Sequence, residues 1–333
     1  MRFAALAVAV LALAGCAAVP ADPRVAQSDA ILAEFGADEP GCTAAVGIDG
    51  EIAWAGAGGL ANLETGEQLT PQSVVDFASL SKQFTATAIL LLEQEGVLSQ
   101  SDTVGAWVPG LPDWAARVPL ANLIHHTSGI PDYISLLDAG DDESTTNADA
   151  VAAITLSQPG GDPGTYFEYS NSNYVLLAEV VQSATGMPLP EWLAANVFAP
   201  LDLDLVDDPL YEGPDAAVSY SGDSPQASRW GQYGDGGIHG TPGALVAWLD
   251  NYRTGELGGE ELLAAQLVDP DGWGYAAGIE ITGDGSLEHN GSWLGFVSKF
   301  SISPDRHTSV VVACNRDDAD EDAVVDRLRT IWF

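Results

Sequence analysis

The sequence has 333 residues, 46% of them hydrophobic and nine of them tryptophan, so it is long enough to bury a substantial core and is not a disordered chain. Its formal charge of −37 at pH 7 argues against binding to nucleic acid or docking on anionic lipid. This acidity indicates either a solvated surface suited to high salt or a surface that recruits a basic partner.

The first residues are typical of a bacterial export signal. Arg2 precedes an apolar run that is too short to span a bilayer as a stable anchor. The run ends in Leu13-Ala14-Gly15-Cys16, which resembles the lipobox of bacterial lipoproteins. We therefore expect a lipoprotein signal peptide over residues 1–15, a tether over residues 16–26, and an exported protein anchored in the cell envelope by lipid on Cys16. The alternative is an ordinary signal peptide cleaved after a small residue.

The mature chain then predicts a helix and a β-hairpin. Residues 25–35 have helical periodicity, with apolar side chains available for one face. Residues 43–48 and 52–55 are predicted strands, and Asp49-Gly50 between them predicts a tight hairpin turn.

Residues 77–84, FASLSKQF, contain the first candidate catalytic pair. Ser79 and Lys82 are three residues apart, which places both on one face at the start of a helix. A serine hydroxyl becomes a strong nucleophile when a neighbouring base takes its proton, and an unprotonated lysine can be that base. Lys82 is one of only two lysines in the chain, and the helix is expected to continue to Gly96. The alternative is a surface lysine at an ordinary helix start.

The middle of the chain, residues 101–235, is broken by glycine, proline and aspartate into short pieces, which we interpret as an inserted all-helical lobe. Residues 201–232 within it are acidic and irregular. The predicted helices span residues 119–126, 148–156, 174–184 and 191–198.

Tyr169-Ser170-Asn171, just before the third of these helices, is the second candidate site. A tyrosine such as Tyr169 can exchange a proton with a nucleophile and a leaving group. Asn171 can donate to a substrate carbonyl and can also hold a lysine. The alternative is an ordinary helix N-cap ahead of an apolar run.

His289-Asn290-Gly291-Ser292 is the third candidate site. Gly291 would allow a substrate to approach the backbone closely. The backbone N–H of Ser292 is a candidate partner for that of Ser79 in an oxyanion hole. His289 is a candidate ligand for a substrate carboxylate, or a proton carrier near neutral pH. The alternative is a polar strand end with a solvated histidine.

The last third predicts a helix, three strands and a closing amphipathic helix. We expect one antiparallel sheet built from both ends of the chain, with the helical lobe inserted and a cleft between the two. The domain would span residues 27–333, with its sheet lobe formed by residues 27–100 and 236–333. The predicted helices span residues 245–252 and 324–332, and the predicted strands span residues 273–281, 296–302 and 309–313.

Several stretches, taken together and in order, resemble the serine β-lactamase-like family over roughly residues 27–333. That family contains class C β-lactamases, penicillin-binding proteins, D,D-carboxypeptidases, D-aminopeptidases and related esterases. The resemblance implies an α+β fold of the β-lactamase/transpeptidase type, with an antiparallel five-stranded sheet flanked by helices. The stretches are FASLSKQF, HHTSGIPDY, YSN, DGGIHGTPG, HNG followed by GF, and VVVACN.

The resemblance also implies roles for individual residues. Ser79 is similar to the family's nucleophile, and Lys82 is similar to its activating partner. Tyr169 corresponds to the second acid/base, and Asn171 to a contact for both substrate and lysine. His289 to Gly291 fall where the family often has Lys-Thr-Gly, so this chain offers less fixed positive charge to a substrate carboxylate.

Cys42 and Cys314 lie in two apolar runs that are predicted strands. In an oxidising compartment they can pair, although their spacing alone fits two separate buried thiols equally well. In the family that the chain resembles, the last strand lies antiparallel to the first. That topology implies a disulfide between Cys42 and Cys314.

We therefore predict an exported serine hydrolase that forms an acyl-enzyme on an ester or an amide, with carboxypeptidase or esterase activity favoured over efficient β-lactamase activity. The alternative is a non-catalytic envelope lipoprotein that uses the same fold as a binding module. No residue spacing suggests a metal site, and no glycine-rich signature suggests a nucleotide cofactor. The expected partners are a small-molecule or peptide substrate and, through Cys16, the membrane, but not nucleic acid.

Overall fold

A six-stranded antiparallel sheet forms the centre of the molecule. The computed structural model describes residues 22–137 and 144–333, so Cys16 and the predicted signal peptide lie outside the described residues. The strand order is β3-β4-β5-β6-β1-β2, so the first and last strands pair near the middle of the sheet. The strands are Cys42–Ile48 (β1), Glu51–Gly58 (β2), Glu280–Ile281 (β3), Leu287–Trp293 (β4), Phe296–Ile302 (β5) and Thr308–Cys314 (β6).

This arrangement confirms the predicted α+β fold with a sheet built from both ends of the chain. The two-residue strand β3 adds a sixth strand to the five that were expected. The turn between β1 and β2 is the predicted two-residue hairpin, because Asp49 and Gly50 both have positive φ, 53° and 83°.

Helices cover both faces of the sheet. Pro23–Leu32 and Glu321–Trp332 pack on one face, where Trp332 donates from Nε1 to Ser28 Oγ at 2.9 Å. The opposite face packs against the large core around Lys82–Gln94 and Pro242–Leu249. The remaining α-helices are Val104–Trp107, Leu120–Ile124, Asn147–Thr155, Asn171–Thr185, Leu189–Leu193, Asn251–Thr254 and Gly259–Gln266.

Two predictions about the first half of the chain need correction. The tether was expected to reach residue 26, but a helix already begins at Pro23, with Asp22 as its cap. The inserted lobe was expected to be all-helical, but it also contains short strands. These are Thr145–Thr146, Leu205–Asp207, Ser219–Ser221, Ser224–Gln226 and Trp230–Gly231.

A small three-stranded sheet lies beside the large one and joins the lobes. Val75–Asp76, from the front of the chain, pairs with Ile238–Gly240, which pairs in turn with Leu205–Asp207 from the insert. Because Val75–Asp76 leads directly into the FASLSKQF stretch, this small sheet fixes the entry to the candidate nucleophile. Two further short strands, Leu60–Asn62 and Glu67–Gln68, pair with each other.

The strand predicted over residues 273–281 is wrong except for its last two residues. Gly274 and Gly278 have positive φ, 79° and 74°, which breaks the extended pattern. Gly278 also lies so close to the start of the Lys82–Gln94 helix that a Cβ there would be 2.5 Å from the Gln83 backbone nitrogen. The segment is therefore a loop that packs against the backbone of Lys82 and Gln83.

Cys42 and Cys314 are directly paired across β1 and β6, with their Cα atoms 3.9 Å apart, and a disulfide joins them. The pairing that the resemblance implied is thus present in the structure. No helix within residues 22–137 and 144–333 is long and apolar enough to cross a lipid bilayer. Within the same ranges, no group of three or more His, Cys, Asp or Glu side chains is arranged to hold a metal ion.

Candidate active site

Ser79 lies in a constrained turn rather than in the α-helix that the sequence predicted. A 3₁₀ turn, Ala78–Ser81, precedes the helix, because Ala78 has a positive φ of 49° that an α-helix cannot contain. The backbone N–H of Ala78 donates to Asp76 Oδ1 at 2.7 Å. Ser81 Oγ accepts from the backbone N–H of Ile238 at 3.1 Å. The strained residue before Ser79 is therefore held from both sides, as is common at functional sites.

The Lys82 side chain is completely buried, and its amino group faces three oxygen atoms. Nζ donates to Ser79 Oγ at 3.0 Å and to Asn171 Oδ1 at 2.8 Å. Its third partner is the backbone carbonyl of Asp235, at 2.6 Å. An ammonium has three N–H donors, and all three find acceptors here. If the amine loses one proton, its lone pair can accept the hydroxyl proton of Ser79 while the other two hydrogen bonds remain.

Asp132 fixes the orientation of Asn171. Its Oδ2 atom accepts from the Asn171 backbone N–H at 3.0 Å and from Asn171 Nδ2 at 2.9 Å. Because the amide nitrogen is taken by Asp132, the amide oxygen must face Lys82. Asp132 was missed in the sequence, where Pro131-Asp132 predicts only a turn; its other oxygen caps the next turn by accepting from the Ile134 N–H at 2.9 Å.

Tyr169 meets Lys82 through the face of its ring. The Lys82 ammonium lies 5.0 Å from the ring centroid, within the range of a cation–π contact. The other neighbour of the ring is His126, whose centroid is 4.2 Å away. Tyr169 is 38% exposed, so it stands at the border between the buried lysine and solvent.

His126 is a neutral, fully buried support for Tyr169. Its Nδ1 atom accepts from the Ser170 backbone N–H at 3.2 Å and from Asn173 Nδ2 at 3.0 Å, so the proton is on Nε2. Burial lowers the pKa of His126 well below its usual value, and the charge of Lys82 lowers it further. His126 therefore supports the ring beside Lys82 without adding a second positive charge.

His289 is not available as the carboxylate ligand that the sequence suggested. Both ring nitrogens are engaged, because Nδ1–H donates to the Asn290 carbonyl at 2.6 Å and Nε2 accepts from the Tyr275 hydroxyl at 3.1 Å. Burial, together with the charge of Lys82, lowers the pKa of His289 to about 3. At neutral pH the ring is uncharged, and it orients Tyr275 behind Tyr169, while the side chain of Asn290 is exposed.

Gly291 lets β4 run against the Ser79 turn. A Cβ at this position would lie 2.5 Å from the Phe77 carbonyl oxygen and 2.7 Å from Ser298 Oγ. Ser298 donates to the same Phe77 carbonyl at 2.9 Å. The glycine is therefore needed for backbone packing rather than for substrate access. Ser292, the next residue, lines the same cavity as Ser79, as an oxyanion hole shared by their N–H groups requires.

A cavity of about 150 Å³ opens beside Ser79, between the two lobes. Asp76 and Asp235 line it, and no lysine, arginine or histidine is among the described residues around it. Burial raises the pKa of both carboxyl groups, and the Tyr133 hydroxyl donates to Asp235 Oδ2 at 3.0 Å. None of the ionisable side chains that line this cavity therefore supplies a positive charge.

The structure brings most of the candidate residues together. Ser79, Lys82 and Asn171 form one hydrogen-bonded group, with Tyr169 beside it and Ser292 across the cavity. The predicted lipidation site lies outside the described residues. The sequence analysis missed the residues that orient this group or shape the cavity, because they lie in loops and turns, in two-residue strands or at a strand end, where no periodic pattern marks them. They are Asp76, Asp132, Tyr133, Trp230, Asp235, Tyr275 and Trp293.

The family model described as Beta-lactamase matches residues 28–331 of the chain. Penicillin-binding protein 4* of Bacillus subtilis is 35% identical over 159 residues, which cover 46% of this chain and 35% of that protein. A D-aminopeptidase of Brucella anthropi is 28% identical over 296 residues, covering 83% of this chain and 56% of that protein. The chain thus spans about a third to somewhat over half of the length of these curated relatives.

Solved structures show the same fold at lower sequence identity. The D-amino acid amidase from Ochrobactrum anthropi SV3, in complex with L-phenylalanine amide, superposes with a TM-score of 0.80 at 23% identity, over 93% of this chain and 98% of that one. The octameric penicillin-binding protein homologue from Pyrococcus abyssi superposes with a TM-score of 0.77 at 24% identity, over 89% of this chain and 73% of that one.

Proposed function

The chain belongs to the beta-lactamase family of serine hydrolases, and we propose that it cleaves amides or esters through an acyl-enzyme on Ser79. The observation that carries this proposal is the contact at 3.0 Å between Ser79 Oγ and the amino group of the fully buried Lys82. A buried amine within hydrogen-bond reach of a serine hydroxyl is the arrangement that nucleophile activation needs.

In the first step, the Ser79 hydroxyl passes its proton to the group formed by Lys82 and Tyr169, and its oxygen bonds to the substrate carbonyl carbon. The backbone N–H groups of Ser79 and Ser292 stabilise the resulting oxyanion. The leaving nitrogen or oxygen then takes the proton as its bond to carbon breaks. A water molecule then attacks the acyl carbon and gives one proton to the group formed by Lys82 and Tyr169. That proton passes to Ser79 Oγ as the bond between Oγ and the acyl carbon breaks, and the carboxylic acid is released.

The charges around the cavity narrow the substrate class. Penicillins and D,D-carboxypeptidase substrates carry a carboxylate, which needs a fixed cation close to the scissile bond. Here His289 is neutral and the cavity presents Asp76 and Asp235, so such substrates are disfavoured. We therefore favour neutral or amine-bearing amides and esters over β-lactams, and this choice moves the expectation from carboxypeptidase toward amidase, aminopeptidase or esterase activity.

Active-site labelling tests the proposal. The purified protein is incubated with a fluorophosphonate probe, digested, and mapped by mass spectrometry. We expect an adduct on Ser79 in the wild type and none in Ser79→Ala, while Ser101→Ala, which changes an exposed serine outside the cavity, remains labelled. A wild-type protein that neither forms this adduct nor hydrolyses p-nitrophenyl acetate would support the alternative, a non-catalytic binding module.

Substrate charge is tested with matched pairs. We expect D-amino-acid p-nitroanilides with a free amine to be cleaved at least about tenfold faster, in kcat/KM, than the same compounds carrying an N-succinyl carboxylate. Equal rates, or faster cleavage of the succinyl compounds and of nitrocefin, would contradict the preference derived from Asp76 and Asp235.

We also propose that the protein is exported and anchored by lipid on Cys16. The lipobox-like motif supports this, and so does the disulfide between Cys42 and Cys314, since disulfides persist in oxidising compartments. In cells fed a clickable fatty acid, the full chain should become labelled and Cys16→Ser should not. Equal labelling of both, or of neither, would contradict the anchor.

A further inference from the structure

Two tryptophans form one wall of the cavity beside Ser79. Trp230 and Trp293 pack edge to face, with their ring centroids 5.7 Å apart, and Tyr133 lies 6.3 Å from Trp230. Both indole rings are partly exposed, and both line the cavity together with Ser79. We call Trp230 and Trp293 the tryptophan wall. The mechanism proposed above does not use it.

Trp293 is held in place by a tight turn. It ends β4, and the two residues that follow, Leu294 and Gly295, both have positive φ, 40° and 89°. The turn is anchored by Ser219, whose hydroxyl donates to the Leu294 carbonyl at 2.6 Å. A Cβ on Gly295 would lie 2.7 Å from the Tyr220 backbone nitrogen, so the insert packs tightly on this turn. Leu294 and Gly295 are the two central residues of the hairpin between β4 and β5, where positive φ at both is the usual turn geometry, so the turn fixes Trp293 at the end of β4.

Trp230 comes from the opposite lobe and is fixed independently. Its short strand, Trp230–Gly231, pairs in parallel with Thr145–Thr146. The next side chain, Gln232, donates from Nε2 to the Thr146 carbonyl at 2.9 Å. The tryptophan wall is thus assembled from both lobes, each of which holds its own indole rigidly, as a specific binding surface requires.

The residues around the cavity indicate which part of a substrate it takes. Asn171 and Ser292 line it, whereas Tyr169 does not. The leaving atom must lie near the group that protonates it, on the side of Tyr169. The cavity is therefore on the side of the acyl portion. A space of about 150 Å³ is large enough for a benzene ring.

We propose that the tryptophan wall selects substrates whose acyl portion carries an aromatic or bulky apolar side chain. This inference rests on the proposed function and adds the acyl specificity of the same site. Aromatic rings pack favourably edge to face and bury a large apolar area, so Trp230 and Trp293 would bind such a side chain more tightly than a methyl group.

The test compares p-nitrophenyl phenylacetate with p-nitrophenyl acetate. The leaving group is constant, so the ratio of their kcat/KM values, corrected for their rates with hydroxide, reports on the acyl portion. We expect the wild type to favour the phenylacetate by at least about tenfold. Trp293→Ala and Trp230→Ala should each reduce the preference to about twofold or less, because each removes one of the two rings that pack against the phenyl group.

Trp273→Ala is the matched control, because Trp273 is 54% exposed and does not line the cavity. This variant should keep the full preference. A wild type without the preference overturns the inference, as does a preference that survives in both cavity variants.

Competition makes the test independent of whether the variants fold. Phenylacetamide should protect wild-type Ser79 from the fluorophosphonate probe at concentrations at least about tenfold lower than acetamide. Equal protection by the two amides overturns the inference while leaving the proposed function intact. Failure of Ser79 to react with the probe at all would instead count against the proposed function.

Discussion

The chain has two lysines, Lys82 and Lys299. They lie in different regions of the molecule, and their amino groups contact different kinds of oxygen atom. Lys299 pairs with the carboxylates of Glu288, at 3.2 Å, and Asp322. Burial alone would lower the pKa of Lys299, but these two partners outweigh it and raise that pKa above its ordinary value. Lys299 is therefore held firmly as a cation.

Lys82 is more deeply buried, yet its three hydrogen-bond partners are a hydroxyl, an amide and a backbone carbonyl. No carboxylate among the described residues accepts a hydrogen bond from its amino group: Asp132 binds Asn171, and the carboxyl group of Asp235 interacts with Lys82 only electrostatically. Neutral acceptors hold an amine in place without fixing its charge as firmly as an ion pair does. The comparison teaches that burial alone does not mark a catalytic lysine; what distinguishes the two sites is the nature of the acceptors.

Removing each lysine in the same way is the strongest test of this contrast. We expect Lys82→Met to lower kcat/KM for p-nitrophenyl acetate by about 10³-fold or more, because Ser79 loses the group that accepts its proton. The rate of fluorophosphonate labelling should fall in parallel, and circular dichroism should confirm that the variant is folded. A folded Lys82→Met variant with activity within tenfold of the wild type would show that Ser79 does not need Lys82 as its proton acceptor.

The next test addresses how the neutral acceptors are held. Asp132→Asn has one acceptor oxygen in place of two, so it cannot accept from Asn171 and from the Ile134 backbone N–H at once, and the orientation of the Asn171 amide is less firmly held. We expect kcat to fall by about 10- to 100-fold with little change in KM, by analogy with residues that orient a catalytic group. Asp149→Asn, which removes an exposed capping carboxylate that does not line the cavity, should leave both constants unchanged. An unaffected kcat in Asp132→Asn would show that Asn171 needs no such support.

The neutrality of His289 is tested by pH. The pKa of His289 is about 3 in the folded protein, against an ordinary value of 6.5. As the pH falls from 6.5 toward 3, His289 therefore binds a proton in the unfolded chain but stays neutral in the folded protein. At pH 5 this costs the wild type about 2 kcal/mol of unfolding free energy. The free energy of unfolding is measured by urea titration at pH 7 and at pH 5. Its decrease between these pH values should be smaller in His289→Gln than in the wild type, by about that amount. The same loss in both proteins would place a charged His289 beside Lys82.

Lys299→Met should give the smallest effect. When Lys299 is removed, Arg329 and Ser301 remain as partners of Glu288, so its carboxylate is not left unpaired. We expect a loss of about 1 kcal/mol in unfolding free energy by urea titration, with kcat/KM within about twofold of the wild type. A large loss of activity here would show that the ion-paired region also serves the reaction.

Local patterns predicted the parts of the fold that depend on neighbours in the chain. Asp49-Gly50 gave the hairpin because both residues tolerate positive φ, and the spacing of Ser79 and Lys82 gave their hydrogen bond. The sequence predicted an α-helix that includes Ser79, but the structure has a 3₁₀ turn at this point, because Ala78 has a positive φ. The backbone N–H of Ala78 is held by Asp76, which lies in the small three-stranded sheet. Asp76 is only two residues before Ala78, but its own position is set by pairing with His239, which a local pattern does not predict.

The rest of the site depends on contacts between distant segments, which a single sequence does not display. Asp132 reaches Asn171 across 39 residues, and Asp235 reaches Lys82 across 153. His289 seemed a solvated or substrate-binding residue because a lone histidine in a polar strand end says nothing about its burial. Its low pKa follows from burial and from the charge of Lys82, and both arise only in the folded chain.

The pairing of β1 with β6 has a consequence for how the protein is made. A ribosome adding about 5 to 20 residues per second completes the first strand some tens of seconds before the last one exists. During that interval β1 and β2 present a hydrogen-bonding edge that has no partner, and such edges invite pairing with other chains. The sheet that supports Ser79 can therefore close only after synthesis is nearly complete, so the nascent chain depends on being kept apart from its own copies until then.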